Sequence, residues 1–162
     1  MQTPPQGRSA IHTKIQPYNK NKIKEAIEAE LSRRGQVYFL HNRVETIEKT
    51  KKSLEKIIYY NSDGRQKVGI IKIGAIHGRM NEKEIIKIMA DFTAGRINIL
   101  VATTIIENGI DLPNVNTIII EDASRLGLAQ AYQIRGRVGR SHIKSFAYLF
   151  YPKKITPVAR PP

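Results

Sequence analysis

Three polar side chains near the C-terminal end of the sequence are spaced to share one face of a helix. Gln133, Arg137 and Arg140 lie at positions i, i+4 and i+7 of the stretch QIRGRVGR. Two glycines inside such a stretch each cost about 1 kcal/mol relative to alanine, so something must require a close approach to the backbone there. Guanidinium groups bind phosphoryl oxygens in a bidentate manner and neutralise the charge that develops in phosphoryl transfer. The pattern therefore predicts a polyphosphate-binding surface with arginine fingers.

Composition and charge limit the class of protein. The 162 residues suffice for one domain with its own core, and the absence of cysteine excludes disulfides and thiolate metal ligands. No apolar run is long enough to cross a membrane and no secretory leader is recognisable, so we expect a cytoplasmic location. Lysine and arginine number 27 against 14 acidic residues, giving +13. This charge predicts a polyanionic partner, nucleic acid first, although a lysine-rich solvated surface explains it equally well.

Short apolar runs alternate with amphipathic helical patterns, which is typical of βαβ units. We predict an α/β domain over 11–152, an open, mainly parallel sheet with helices on both faces, with a linker at 1–10 and a proline-rich tail at 153–162. Asn19 and Asn81 are predicted N-caps and Gly35 and Gly95 predicted helix stops, and the buried stripe of the first helix includes Glu30. The predicted strands are 11–15, 36–40, 68–76, 97–102, 115–120 and 145–151, and the predicted helices are about 20–34, 44–58, 82–94 and 128–138.

Polar residues follow four of the predicted strands: HNR at 41–43, HGR at 77–79, TT at 103–104 and ED at 121–122. Ligands of open α/β sheets bind beyond the carboxyl ends of the strands, and such donors beside helix N-termini suit a phosphate backbone. Taken singly, each has a structural explanation, such as helix capping or turn formation, but their common position favours the functional one. The candidate DNA-backbone contacts are Asn42, Arg43, His77, Gly78, Arg79, Thr103 and Thr104.

The stretch NGIDLP at 108–113 breaks the apolar pattern between two strands. It supplies Gly109, which can adopt a positive φ, and the carboxylate of Asp111. A turn with a capping aspartate explains the stretch, and the functional alternative is that Asp111 holds an arginine of the following helix or a ribose hydroxyl. The sequence leaves these alternatives open.

Four stretches together resemble superfamily 2 helicases. Residues 103–113 and 133–140 look like motifs V and VI in order and spacing, 38–45 resembles motif IV, and 76–80 resembles the short motif between IV and V. Asn108 stands where the family pattern has threonine. Within the superfamily, GLAQ at 127–130 and SH at 141–142 are most similar to the double-stranded DNA translocases of transcription-coupled repair, with branch-migration helicases next.

The resemblance implies the second RecA-like lobe of an ATP-dependent motor. Its cofactor would be ATP with Mg²⁺, mostly held by a first lobe, because the sequence contains neither a GxxxxGK[ST] stretch nor an Asp-Glu box. We therefore predict no metal ligands in this chain and no ATPase activity for it alone, although the full-length protein would be an ATPase. The residues facing the nucleotide would be Gln133, Arg137, Arg140, Gly109 and Asp111.

The implied partners are double-stranded DNA, the first lobe of the same, longer protein, and RNA polymerase bound through other domains. The leading hypothesis is thus the second motor lobe of a double-stranded DNA translocase in transcription-coupled DNA repair. The alternatives are the corresponding lobe of a branch-migration helicase and a non-catalytic basic module that binds nucleic acid. The missing Walker motif is what favours the last of these.

Overall fold

The computed structural model describes residues 11–59, 71–103, 115–125 and 144–152. In these ranges the strands form one sheet of order β1-β6-β5-β2-β4-β3, in which every neighbouring pair is parallel. The strands are β1 (Ile11–Pro17), β2 (Gln36–Leu40), β3 (Ile73–Ile76), β4 (Ile99–Ala102), β5 (Val115–Ile120) and β6 (Ser145–Tyr151). The helices are α1 (Lys20–Ser32), α2 (Ile47–Tyr59) and α3 (Glu82–Thr93), and a 3-10 turn (Val44–Thr46) leads into α2.

The central strands are apolar at nearly every position because both faces of the sheet are covered. Alternate side chains of β2 enter different cores: Val37 and Phe39 pack with α1 and α2, whereas Tyr38 and Leu40 pack with α3. Every residue of β2, β3, β4 and β5 is buried. The predicted open parallel sheet with helices on both faces is therefore confirmed.

Two strands begin later within the described residues than the sequence predicts, and one predicted helix is not described. In the segment predicted as a strand over 68–76, the described strand is Ile73–Ile76, and residues 68–70 lie outside the described residues. The strand predicted over 97–102 begins at Ile99. The hydrogen bonds are irregular at the second of these points, because Lys72 O accepts from both Asn98 N–H at 2.8 Å and Ile99 N–H at 3.3 Å, and the Asn98 side-chain oxygen accepts from Lys72 N–H at 2.9 Å. The predicted helix 128–138 lies outside the described residues.

The end of α1 differs in mechanism from the prediction that Gly35 stops the helix. The residue with a left-handed backbone is Arg34, with φ 63°. Its N–H donates to Leu31 O at 3.0 Å and the Gly35 N–H donates to Glu30 O at 3.1 Å, which is a Schellman motif with arginine where glycine is usual. At the end of α3, by contrast, Gly95 has φ 82° and occupies the left-handed position as predicted.

Gly35 is needed for space. A Cβ atom at this position would lie 2.0 Å from Oε2 of Glu30, whose side chain is fully buried. Glu30 Oε1 accepts hydrogen bonds from Thr117 Oγ1 and from Arg33 Nη2, both at 2.6 Å. Arg33 also donates to Lys144 O at 3.0 Å. The buried carboxylate thus ties α1 to β5, and Arg33 extends the connection to the start of β6.

Candidate nucleic-acid interface

The parallel sheet gathers the predicted strand-end residues at one edge, called here the carboxyl edge. Three backbone hydrogen bonds continue the sheet one residue beyond the strands: His41 N–H to Ala102 O at 2.9 Å, Glu121 N–H to Leu40 O at 3.2 Å, and Thr103 N–H to Ile76 O at 3.2 Å. The first residue of each following loop is therefore fixed by its neighbour. Because order β5-β2-β4-β3 is continuous, these loops lie side by side.

The loop after β2 presents two polar side chains at this edge. Arg43 is exposed and has an extended backbone, φ −141° and ψ 119°, at the cap position of the 3-10 turn. Asn42 is half-buried and does not occupy that cap position. Within the described ranges, neither side chain has a hydrogen-bond or ion-pair partner. The explanation of Asn42 as a helix cap is therefore not supported. As far as the described residues go, both groups are available to an anion.

His41, just before them, is held on both ring nitrogens. Its Nδ1 is hydrogen-bonded to the Glu121 carboxylate at the end of β5, and its Nε2 lies 2.6 Å from Thr46 Oγ1. Thr50 Oγ1 is 3.3 Å from Nδ1 and 3.4 Å from Nε2. Only 11% of the His41 side chain is exposed. Sequence reasoning placed His41 and Glu121 at the same edge but did not find their pairing.

The loop after β3 is a tight turn. His77 Nδ1 accepts a hydrogen bond from the Arg79 backbone N–H at 3.2 Å, and His77 O accepts one from Met80 N–H at 3.2 Å. The first of these bonds leaves Nε2 as the protonated nitrogen of a neutral ring. A Cβ atom on Gly78 would meet nothing within 4 Å, so the turn does not require glycine for space.

Arg79 crosses from this turn to the loop after β2. Its Nη2 donates to Glu45 Oε1 at 3.3 Å, and the two side chains are 69% and 65% exposed. The pair bridges the end of β4, which lies between β2 and β3 in the sheet. Glu45 was not singled out by the sequence analysis, because no sequence spacing links positions 45 and 79.

Thr103, which follows β4, is largely covered. It is 7% exposed, and its carbonyl oxygen accepts a hydrogen bond from the Tyr38 hydroxyl at 3.3 Å. The structure therefore places Thr103 below the surface that Asn42, Arg43, Gly78 and Arg79 share. Of the predicted backbone contacts that the structure describes, it is the least accessible.

A cleft of about 460 Å³ opens beside the β2 loop. Tyr18 and Pro152 supply apolar lining, and burial together with the charge of Glu121 raises the pKa of the Tyr18 hydroxyl. Asp122 contributes a second carboxylate, which accepts a hydrogen bond from Ser124 N–H at 3.1 Å. The cleft is lined by Tyr18, His41, Asn42, Arg43, Thr46, Glu121, Asp122 and Pro152.

No group of three or more potential metal ligands occurs among residues 11–59, 71–103, 115–125 and 144–152. In the same part of the chain, no helix has the length and apolar character needed to cross a bilayer.

The predicted nucleotide-facing residues lie outside the described ranges. These are Gln133, Arg137 and Arg140, together with Gly109 and Asp111 of the preceding loop, and the same holds for Thr104. Their roles stay predictions.

Comparison with protein families and curated proteins gives strong matches. A model of the family described as the helicase conserved C-terminal domain matches residues 19–142. The transcription-repair-coupling factor of Bacillus subtilis (strain 168) is 45% identical over 161 residues, and that of Escherichia coli (strain K12) is 46% identical over 156 residues. These alignments cover 98% and 95% of this chain but only 13% of each relative.

Solved structures give the same architecture. RecG bound to a three-way DNA junction superposes with a TM-score of 0.72 and 31% identity, covering 96% of this chain and 20% of that one. The C-terminal domain of the DEAD-box protein Dbp5 superposes with a TM-score of 0.62 and 22% identity, over 90% of this chain and 78% of that one. The RecA-like fold that the resemblance implied is thereby confirmed.

Proposed function

The chain belongs to the helicase conserved C-terminal domain family, and from this membership we propose that it is the second motor lobe of an ATP-dependent double-stranded DNA translocase in transcription-coupled repair. The observation that carries this proposal is the identity of 45% with a transcription-repair-coupling factor over 98% of the chain. Since the chain spans 13% of that relative, the motor would include other domains, and any contact with RNA polymerase would lie in them.

The carboxyl edge supports the DNA-binding part of the proposal. Asn42 and Arg43 offer an amide and a guanidinium with no partner in the described ranges, and Gly78 exposes backbone beside Arg79. Such donors contact phosphate oxygens and fix register without reading base sequence. We assign the contacts with the phosphate backbone to these groups and to His77, with Thr103 contributing from beneath and Thr104 as a further predicted contact. The charge of +13 is compatible with the same partner.

The nucleotide side of the lobe rests on the motif resemblance. In this proposal Arg137 and Arg140 reach the γ-phosphate of ATP, Gln133 contacts the nucleotide or the attacking water, and Gly109 with Asp111 forms the adjoining loop. The first lobe holds ATP and Mg²⁺, because this sequence has no Walker motifs. Closure of the two lobes around ATP and reopening after hydrolysis would shift the contacts with the phosphate backbone along the DNA.

A branch-migration helicase lobe is the second candidate. It is favoured by the TM-score of 0.72 and the 31% identity to RecG bound to a three-way DNA junction. The higher identity to the coupling factors places it second. An RNA-polymerase-binding segment elsewhere in the same open reading frame would support the coupling-factor assignment, and a branched-DNA-binding domain in its place would support this one.

The proposal is tested by measuring DNA-stimulated ATP hydrolysis by the 162-residue chain alone and by the chain joined to its upstream neighbour. We expect no turnover from the chain alone and DNA-dependent turnover from the joined protein. An open reading frame that contains no upstream Walker motif, combined with salt-sensitive DNA binding by the chain, would instead establish the non-catalytic binding module.

A further inference from the structure

The loop that presents Asn42 and Arg43 is closed by a side chain rather than by its backbone. His41 stands at the start of the loop and Thr46 at its end, and the imidazole Nε2 lies 2.6 Å from Thr46 Oγ1. The other ring nitrogen is bound to Glu121, which follows the neighbouring strand β5. One ring therefore fixes the loop at both ends and anchors it to the sheet.

The arrangement keeps its hydrogen bonds in both protonation states of the imidazole. In the neutral ring, Nδ1–H donates to the Glu121 carboxylate and Nε2 accepts from the Thr46 hydroxyl. In the imidazolium, Nδ1–H still donates to Glu121, and Nε2–H donates to Thr46 Oγ1, since a hydroxyl both donates and accepts. The charged or titratable groups around the ring are Glu121, Asp122, Tyr18 and Arg43 of the same cleft.

Neither His41 nor Glu121 is placed to touch DNA as Arg43 is. His41 is 11% and Glu121 25% exposed, and the Glu121 carboxylate is engaged with the imidazole. The pair acts on the neighbouring side chains instead.

We propose that His41 and Glu121 are positioning residues that hold the 41–46 loop in the conformation in which Asn42 and Arg43 bind the DNA backbone. This inference rests on the function proposed above. It predicts that the hydrogen bonds of the pair matter for DNA affinity, whereas the rate of ATP hydrolysis at saturating DNA does not depend on them.

The test compares four variants with the wild-type chain. His41→Phe keeps a ring but removes both hydrogen bonds, Thr46→Val removes the hydroxyl at nearly constant volume, Glu121→Ala removes the acceptor, and Glu121→Gln retains an acceptor oxygen for Nδ1–H. Affinity for a fluorescently labelled DNA duplex is measured by anisotropy at one fixed salt concentration, and thermal unfolding checks that each variant is folded.

We expect His41→Phe, Thr46→Val and Glu121→Ala each to weaken DNA binding, the first and last about tenfold, as loss of a well-placed charge-assisted contact would. Glu121→Gln should stay within about twofold of wild type because it keeps the geometry. In the longer motor protein, the DNA concentration for half-maximal ATPase should rise by the same factors at unchanged kcat, which a general loss of fold would not produce.

The possible failures are distinguishable. A wild-type chain that binds no duplex overturns the proposed function itself. A wild-type chain that binds, with a folded His41→Phe or Thr46→Val variant that binds equally well, overturns only the positioning role. Equal losses in Glu121→Gln and Glu121→Ala would also overturn it, because they would show that charge rather than geometry is what matters. If His41→Phe does not fold, the comparison of Glu121→Gln with Glu121→Ala decides.

Discussion

Arg79 Nη2 lies 3.3 Å from Glu45 Oε1, so one exposed ion pair joins the loops that follow β2 and β3 across the end of β4. Exposed pairs of this kind contribute about 0–1 kcal/mol. A phosphate group can therefore replace Glu45 as the partner of the Arg79 guanidinium at little cost in free energy. The pair holds Arg79 over the carboxyl edge, and in the proposed function it leaves Arg79 free to exchange Glu45 for a phosphate.

Glu45→Gln is expected to strengthen DNA binding about two- to fivefold at low salt, because Arg79 loses its competing carboxylate and the edge loses one negative charge. Duplex binding by anisotropy measures the effect. Glu25→Gln is the matched control, since Glu25 is an exposed member of a similar pair with Lys22, at 3.6 Å on the body of α1. Equal gains in both variants would mean that net charge, and not Arg79, is responsible.

Arg43→Ala is expected to weaken duplex binding and to lower the slope of log Kd against log salt by about one, the signature of one lost phosphate contact. Arg96→Ala is the charge-matched control. Arg96 pairs with Asp91 at 2.8 Å between α3 and β4, at the opposite edge of the sheet. If the slope of log Kd against log salt falls equally in both variants, DNA binding does not depend specifically on the carboxyl edge.

Arg137→Ala in the full-length protein is expected to leave DNA binding near wild type while ATP hydrolysis falls about 10³-fold or more, as for other arginine fingers. Steady-state turnover at saturating DNA measures this. Lysine at the same position is a useful companion variant, because it keeps the charge but not the bidentate fork. Unchanged turnover in Arg137→Ala would remove the residue from the catalytic assignment.

Most of the described strands and helices were predictable because each has a local sequence pattern typical of its type. The runs at 36–40 and 115–120 are apolar at successive positions, as strands covered on both faces must be, and Asn19 and Asn81 cap helices as their types predict. Even Glu30, an acidic residue in the predicted buried stripe of α1, is buried.

The side-chain pairings were not predictable in the same way. His41 and Glu121 are 80 positions apart and Glu45 and Arg79 are 34 apart. Their contacts depend on strand order, and the sequence contains no repeat or spacing that encodes this order. Gly35 shows the same limit, because its role as space for a carboxylate becomes visible only when Glu30 and Thr117 are brought together.

Gly35→Ala is expected to lower the free energy of unfolding by about 1–3 kcal/mol, because its Cβ would lie 2.0 Å from Glu30 Oε2 and backbone or carboxylate must move. Urea denaturation measures the change. Gly78→Ala provides the control, since a Cβ there meets nothing within 4 Å, and it should be close to neutral. A stable Gly35→Ala variant would show that the Glu30 carboxylate relocates freely.

Arg34→Gly is expected to raise the free energy of unfolding by about 1 kcal/mol. Arg34 has φ 63°, and relief of left-handed strain outweighs the added freedom of glycine in the unfolded chain. Arg34→Ala removes the same charge but keeps the strain, so it should give no gain in the same urea titration. A gain in Arg34→Ala equal to that in Arg34→Gly would assign the effect to charge.

The pairing of β1 with β6 matters for biosynthesis. Ile11 is in register with Ser145 and Pro17 with Tyr151, and β6 is the sole strand partner of β1 in the ranges that the structure describes. During translation, β1 leaves the ribosome long before that partner exists, with Ile15 still 55% exposed even in the finished fold. A nascent chain therefore carries this strand without its β6 partner until Ser145–Tyr151 have been synthesised.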